Sequence, residues 1–237
     1  MRLLVSVASP DDAREAVAGG ADIIDAKDPS MGALGAVSLA RLGDIRESVG
    51  GARPLTAALG DAVDEASTEA LAAAYGEAGA SLVKIGLLGT TNVTQAVMLA
   101  SAAIRGAAKA AGGVVVVAYA DAPPTLSLRA HDVIAVAARA GAHGVLLDTL
   151  NKAGPGLVHL QSSLDLAQWV AAGHAARLEV AVAGKLTASD LSFVRDSGAD
   201  IAGVRGAACA GGRSGIVSRA LVHVLVEGCR GTRKEVA

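Results

Sequence analysis

The stretch ARAGAHGVLLDT, residues 138–149, ends an alanine-rich helical pattern at a glycine, and a run of apolar residues follows at once. Related phrases stand at 18–24 (AGGADII), 77–83 (EAGASLV) and 196–204 (DSGADIAGV). In each, glycine supplies the left-handed conformation that ends a helix, and a buried strand is expected next. The repetition predicts a chain built from successive strand–helix units.

Working outward from these phrases, apolar runs of strand length recur along the whole chain. They stand at 3–7, 21–26, 55–59, 82–87, 114–119, 144–147, 178–183 and 201–204. Several are continuous rather than alternating, which is typical of parallel strands buried on both faces. Between them lie alanine-rich segments with helical spacing, at 10–18, 67–78, 93–110 and 129–140.

Eight strand–helix units predict an α/β fold, a single (β/α)₈ TIM barrel. We expect one domain over residues 1–237, ending in a short polar tail at 230–237. The alternative is a doubly wound open sheet, but SVASPDD follows the first strand where that fold commonly has GxGxxG.

Composition excludes several classes of function. The chain is 52% hydrophobic and 19% charged with a net charge of −2, so no global field attracts nucleic acid or a membrane. The apolar runs are too short to span a bilayer. Two cysteines, Cys209 and Cys229, form no CxxC motif, which suits a reducing cytoplasm. The sequence predicts a cytoplasmic protein without nucleic-acid or membrane partners, and assembly into a homo-oligomer is compatible with it.

Polar residues at the carboxyl ends of the strands are the candidates for chemistry, because barrel active sites lie there. Asp25 and Lys27 close the second run, Lys84 lies in the fourth, and Asp148 ends the sixth with Lys152 four residues on. Asp25 and Lys27 are two apart and share one strand face. Because inward residues of alternate strands form layers, we expect Lys27, Lys84 and Asp148 to meet in one layer.

This cluster favours imine chemistry. A lysine at a strand end is most often a solvated surface group, but Lys84 stands in an otherwise apolar run. Burial and neighbouring cations lower a lysine pKa from about 10.4 and free the amine to attack a carbonyl. Carboxylates such as Asp25 and Asp148 can move the protons. Purely structural ion pairs are the alternative.

Glycines and basic residues follow the last two runs, where barrels of this kind often bind phosphate. The segments are AGK at 183–185 and VRGAACAGGRSG at 204–215. Backbone N–H groups of glycine-rich loops approach anions closely, and arginine adds a charged fork. The candidate phosphate-binding residues are Gly184, Lys185, Arg205, Gly206, Gly212 and Arg213. A flexible turn without a ligand is the alternative.

The remaining polar features point to no metal or cofactor. The five histidines fall on helices or at helix-to-strand turns, and His159 alone stays a minor candidate for the site. No His, Cys, Asp or Glu residues show metal-ligand spacing, so we expect neither a metal nor a cofactor. The segment 29–35 (PSMGALG) is predicted to be a loop that either closes over the site or is an inert connection.

The opening LLVSVASPDDAREAVAGGADIIDAKDPSMGALGA, residues 3–36, resembles the (5-formylfuran-3-yl)methyl phosphate synthase family. The match extends to LVKIGL (82–87), LLDTLNKAG (146–154), AVAGK (181–185) and GVRGAAC (203–209), and so covers essentially the whole chain. ADIIDAKDP together with GALGA is the most specific part.

The resemblance implies a class I aldolase-like enzyme that condenses two molecules of glyceraldehyde 3-phosphate. Water and one phosphate would be lost, and the furan product would serve methanofuran or methylofuran biosynthesis. By resemblance, Lys27 is the Schiff-base lysine with Asp25 beside it, Lys84 is a proton acceptor, and Asp148 with Lys152 forms a further pair.

Two other functions stay open. The first is another lysine-dependent aldolase or isomerase acting on small sugar phosphates, which would use the same imine step and phosphate site. The second is a non-enzymatic barrel that senses a phosphorylated metabolite. A sensor has no need of a buried nucleophile, so the complete set of lysines and aspartates favours an enzyme.

Overall fold

In a computed structural model that describes residues 1–231, eight parallel strands close into a barrel in which each pairs with the next and the last pairs with the first. The strands are β1 (Arg2–Val7), β2 (Ile23–Ala26), β3 (Leu55–Asp61), β4 (Leu82–Gly86), β5 (Gly113–Tyr119), β6 (Gly144–Asp148), β7 (Glu179–Val182) and β8 (Ile201–Val204). Each coincides with one of the apolar runs. The predicted (β/α)₈ barrel is confirmed, and the open sheet is excluded.

Helices follow the strands and cover the outside of the barrel. They are α1 (Pro10–Ala18), α2 (Leu39–Val49), α3 (Glu65–Glu77), α4 (Val93–Ala108), α5 (Ala130–Ala140), α6 (Leu157–Leu160), α7 (Ser163–Ala175), α8 (Leu191–Asp196) and α9 (Arg219–Arg230). Within residues 1–231, none is long and apolar enough to cross a membrane. Most of the predicted polar tail, residues 232–237, lies outside the described residues.

Glycine ends the helices as the repeated phrases predict. The cap of α5 is Gly141 with φ +81°, and its N–H donates to the carbonyls of Ala137 and Ala138. After α3, Gly79 has φ +107°. Residues with a Cβ rarely adopt such angles, so glycine at these positions lets the chain turn directly from helix into strand.

Alternation along the strands divides the apolar residues into two clusters. The larger lies between the strands and the helices, and it includes Val114 and Val116, both 0% exposed. The smaller lies inside the barrel and includes Leu4, Leu146 and Ile201. The polar residues on the same inward strand faces lie inside the barrel and toward its mouth, next to this inner cluster.

The loop after β2 covers part of this mouth. The backbone N–H of Asp28 donates to the carbonyl of Gly35 at 2.8 Å, which closes residues 28–35 into a compact turn. Ala33 and Leu34 are buried in the inner cluster. The loop predicted at 29–35 is therefore packed over the barrel mouth and is more than an exposed connection.

A short hairpin beyond β8 was not expected from any sequence pattern. Strands β9 (Cys209–Ala210) and β10 (Ile216–Val217) pair antiparallel and enclose the glycine-rich loop. Two-residue strands are too short to produce a recognisable pattern of alternation.

Candidate active site

Lys84 and Asp25 form a buried ion pair inside the barrel. Lys84 Nζ lies 2.6 Å from Asp25 Oδ2. Asp25 also accepts hydrogen bonds from the hydroxyls of Ser6 at 2.9 Å and Thr56 at 2.7 Å. These two residues are the neighbours of Asp25 in register on β1 and β3. Charge pairing and hydrogen bonds together compensate for taking the carboxylate out of water.

Lys27, Asp148 and Lys152 form a second group. Lys152 Nζ donates to Asp148 Oδ1 at 2.6 Å, and the Thr149 backbone N–H donates to the same oxygen at 2.7 Å. Lys27 Nζ lies 3.9 Å from Asp148 Oδ2. Lys27 is therefore less tightly held by a carboxylate than Lys84 or Lys152, although it is about as buried as Lys84.

These surroundings shift the titration of Lys27 toward the reactive form. Burial lowers the pKa of Lys27 most, Asp148 opposes this effect, and the neighbouring cations Lys84 and Lys152 lower the pKa as well. Together these effects bring it from an ordinary 10.5 to about 8. Burial acts to raise the pKa of Asp148, but Lys152, Lys27 and its hydrogen bonds outweigh that effect and hold it below its ordinary value. A neutral amine beside an ionised carboxylate is suited to imine formation.

The predicted convergence of Lys27, Lys84 and Asp148 in one layer needs a correction. All three face the interior, but Lys84 pairs with Asp25, whereas Lys27 lies beside Asp148. Lys27 is two residues beyond Asp25 on its chain, so the two pairs stand one above the other. Tilted strands stagger their residues around a barrel, and equal distance from a strand end does not mean equal height.

The predicted phosphate residues after β7 surround one end of the same cavity. Gly184 has φ +111°, and a Cβ there would lie 3.0 Å from side-chain carbons of Leu157 and Thr149. Lys185 also has a left-handed backbone, with φ +58°, and its ammonium group donates to the carbonyl of Gly154. Such strain in a non-glycine residue is commonly found at ligand sites.

Arg205 lines the cavity, and most of its N–H groups contact the protein itself. It is 9% exposed, and Nη1 donates to Asp12 Oδ2 at 2.7 Å and to the Ser6 carbonyl at 3.1 Å. Its other nitrogens donate to the carbonyls of Arg213 and Gly215. These contacts support the loop 206–215, and phosphate binding by Arg205 stays a prediction.

Arg213 reaches from this loop to the one covering the mouth. Its Nη2 donates to the carbonyl of Gly32 at 2.8 Å and to that of Pro29 at 3.3 Å. Arg213 is half-buried and lines the cavity together with Gly206. Gly212 has φ +77° and open space around it, and it does not line the cavity.

Sequence reasoning missed Ser6 and Thr56, which line the cavity, and the pair formed by Tyr119 and Asp61, which does not. Ser6 and Thr56 were detectable, because each lies on an inward face one strand away from Asp25. Tyr119 donates to Asp61 Oδ1 at 2.9 Å, and burial, with the Asp61 carboxylate, raises the pKa of its phenol. Asp61 ends β3, so a search for polar residues at strand ends could have found it. His159, the minor candidate from the sequence, lies on α6 and does not line the cavity.

One cavity of about 390 Å³ connects the two lysine groups with the loops after β7 and β8. This volume is within the range of small-molecule sites. Among residues 1–231, no group of three or more His, Cys, Asp or Glu residues could hold a metal ion. The arrangement can hold a small anionic carbonyl compound with its carbonyl near Lys27.

The fold places the protein in a class, the aldolase-like TIM-barrel enzymes. Within that class, the chain belongs to the family described as 4-HFC-P synthase, whose profile matches residues 3–226. The family resemblance seen in the sequence motifs is thereby confirmed.

Relatives in methanogens match over nearly the full length. The (5-formylfuran-3-yl)methyl phosphate synthase of Methanocaldococcus jannaschii is 38% identical over 235 residues, which are 97% of this chain and 100% of the relative. The enzyme of the same name from Methanopyrus kandleri is 39% identical over 231 residues, 95% of this chain and 98% of the relative. The chain is thus a member of a family of synthases.

Solved structures of lower identity show the same fold. A 3-hexulose-6-phosphate synthase from Salmonella typhimurium has a TM-score of 0.67 at 19% identity, covering 95% of this chain and 98% of its own. KGPDC from Streptococcus mutans has a TM-score of 0.65 at 13% identity, covering 96% of both chains. At these identities, the likeness extends to the barrel alone.

Proposed function

We propose that this protein condenses two molecules of glyceraldehyde 3-phosphate through a Schiff base on Lys27. The product is (5-formylfuran-3-yl)methyl phosphate, destined for a cofactor of the methanofuran or methylofuran type. The relatives' names support this product. The observation that carries the mechanism is a buried Lys27 with a pKa of about 8, held 3.9 Å from an ionised Asp148. The enzyme would be a carbon–oxygen lyase.

In the proposed first step, the neutral amine of Lys27 attacks the aldehyde carbon of one triose. The carbinolamine loses its hydroxyl as water, which needs a proton donor, and an iminium forms. Lys152 and Asp148, joined at 2.6 Å, are suited to deliver that proton. The iminium then draws electrons from the adjacent carbon, whose proton must leave to a base.

The Lys84–Asp25 pair is suited to move protons at that carbon and at the second triose. Its atoms lie in contact at 2.6 Å, one tier below Lys27. Ser6 and Thr56 hold the Asp25 carboxylate in place, so its position does not depend on the ion pair alone. We therefore assign Lys84 and Asp25 to proton transfer and Lys27 to covalent catalysis.

The overall reaction balances. Two molecules of glyceraldehyde 3-phosphate form a carbon–carbon bond and a ring ether, one phosphate leaves, and two molecules of water are lost. The imine water is returned when the product is hydrolysed from Lys27. No oxidant or reductant is needed, because the aromatic ring arises by elimination. The remaining phosphate stays on the exocyclic methylene carbon.

The pH dependence of the reaction tests the state of Lys27. Only the neutral amine is a nucleophile, so kcat/KM should rise with pH and level off above an apparent pKa of about 8. An unperturbed lysine would place this limb above pH 10. A pH–rate profile measured at constant ionic strength distinguishes the two cases. An apparent pKa near 10.5, the ordinary lysine value, would contradict a buried Lys27 nucleophile.

Arg213→Ala tests phosphate recognition. Substrate phosphate is present before and during the chemistry, so losing one charged contact should mainly raise KM. A charged hydrogen bond contributes about 1.5–3 kcal/mol, which predicts a rise of roughly 10- to 100-fold. Steady-state kinetics measure it, with Arg139→Ala, on the outer helix α5, as the control. A fall in kcat at unchanged KM would instead place Arg213 at the departing phosphate.

Incubation of the purified protein with glyceraldehyde 3-phosphate alone, followed by mass spectrometry, tests the proposed function. Formation of the furan phosphate together with free phosphate supports it. A six-carbon sugar phosphate or an isomerised triose would indicate another lysine-dependent aldolase or isomerase. Unchanged substrate, bound without turnover, would indicate a sensor.

A further inference from the structure

The interior of the barrel is hollow on the side formed by β7 and β8. The inward positions there hold Ala181, Ala183 and Gly203, whereas the interiors of such barrels are usually filled with bulky branched side chains. The space is continuous with the cavity beneath Lys27 and Arg213. We call its wall the lumen pocket, formed by Leu4, Leu146, Ala181, Ala183, Ile201 and Gly203.

Surface exposure supports a real space inside the barrel. On β5, the inward-facing Val115 is only half-buried, while Val114 and Val116 on the outer face are 0% exposed. Leu82 on β4 shows the same contrast with the buried Val83. At Val115 and Leu82, the interior is therefore packed less tightly than the layer under the helices, the reverse of what core packing alone would produce.

The lumen pocket is apolar. Its six residues bring no hydrogen-bonding side-chain group, and Lys84, paired with Asp25, lines the same cavity. At its far end, Glu179 is engaged by Arg2 and His143. A polar ligand placed there would lose hydrogen bonds to water without replacing them.

We propose that the lumen pocket is the subsite that receives the furan ring as it forms, an inference that rests on the proposed function. The substrates are hydroxylated and well hydrated, but loss of two waters and ring closure convert them into a flat ring with few polar groups. Such a ring gains free energy on entering an apolar space. The pocket therefore binds the dehydrated, product-like state in preference to the substrates.

The position of the pocket fits the connectivity of the product. A single methylene carbon joins the ring to its phosphate. A phosphate held by the loops after β7 and β8 leaves the ring beside the last inward residues of those strands. Ala183 directly precedes Gly184, and Gly203 stands two residues before Arg205. Side chains larger than these would occupy the space of the ring.

Two phosphate esters without an aldehyde test the inference without requiring an imine. Furan-3-ylmethyl phosphate carries the ring and the phosphate, and methyl phosphate carries the phosphate alone. Calorimetry gives a Kd for each, and the ratio of the two measures the contribution of the ring. We expect the ring to tighten binding about tenfold, or about 1.4 kcal/mol.

Filling the pocket should remove this advantage. The variants are Ala181→Val and Gly203→Ala; a Cβ at position 203 would lie 3.2 Å from the Ala183 Cβ and 3.7 Å from Leu4 Cδ2. In both, the ratio should fall to roughly threefold or less, with the Kd of methyl phosphate unchanged within about twofold. Gly43→Ala is the control, because a Cβ there meets nothing within 4 Å.

A wild-type ratio near one, or a ratio that survives both substitutions in folded protein, overturns the inference. The wild-type measurement stands even where a variant fails to fold. The outcome is also separable from the proposed function. A protein that shows the ring advantage but makes no furan phosphate from glyceraldehyde 3-phosphate would refute the reaction and keep the apolar subsite.

Discussion

Lys27→Ala is expected to slow turnover by about 10⁴-fold or more while phosphate binding persists, since loss of a nucleophile that acts with its partners removes most of the catalytic effect. The barrel should still fold, because Asp148 keeps its 2.6 Å contact with Lys152. Borohydride reduction of the wild type with glyceraldehyde 3-phosphate should add mass to the peptide containing Lys27. The variant should show no such addition.

Lys109→Ala is the matched control for removing a lysine, because Lys109 lies on the outer surface and contacts Glu69 there. It should keep both turnover and trapping. Adduct on Lys84 or Lys185 in the wild type would move the covalent role away from Lys27. Lys84 would need to give up its 2.6 Å pairing with Asp25 to act as a neutral nucleophile, which is why we expect the adduct on Lys27.

The fold was predictable because its signals are local. A strand buried on both faces needs a continuous apolar run. In a sheet with one exposed face, half of the side chains of VVVVAY at 114–119 would be exposed to water. Gly79 and Gly141 then mark the ends of α3 and α5. The β9–β10 hairpin was not predictable, since two-residue strands carry no periodicity.

The lysines and aspartates that meet inside the barrel could be predicted, but which lysine pairs with which aspartate could not. Asp25 and Lys27 share a face by strand alternation, a property of adjacent residues. Which cation meets which carboxylate depends on the stagger of the barrel. Thr56 is in register with both Asp25 and Leu82, and Lys84 therefore stands two residues beyond that line. Stagger is set by tilt and closure, which no single segment encodes.

The ion-pair partner of Arg205 could not be predicted from the sequence either. Its position after β8 indicated an anion ligand, and nothing near it in the chain suggests a carboxylate partner. That partner, Asp12, is 193 residues away. In the sequence, Asp12 stands in SPDD, which is typical of the first turn of a helix. Closure of β8 onto β1 brings the two together.

Asp12→Ala is therefore expected to destabilise the protein by about 3–5 kcal/mol, the usual cost of leaving one member of a buried ion pair without its partner. Asp12 is 3% exposed, and its carboxylate accepts from Arg205 at 2.7 Å, from the Ala8 N–H at 3.0 Å and from the Val217 N–H at 2.9 Å. Urea unfolding measures the loss. Because Val217 and Arg205 anchor the loop 206–215, phosphate affinity should fall as well.

The neighbouring Asp11 supplies the control. It separates loss of the Asp12–Arg205 pair from loss of an acidic residue in the first turn of a helix. Asp11 also lies in the first turn of α1, but its side chain is 77% exposed and pairs with the surface residue Arg14. Asp11→Ala should change the free energy of unfolding by no more than about 0.5 kcal/mol. Asp12→Asn keeps an acceptor for the two backbone N–H groups and removes the charge. Asp12→Asn should therefore lose less free energy of unfolding than Asp12→Ala. Equal, small losses in all three variants would show that the Asp12–Arg205 pair does not hold the loop 206–215 in place.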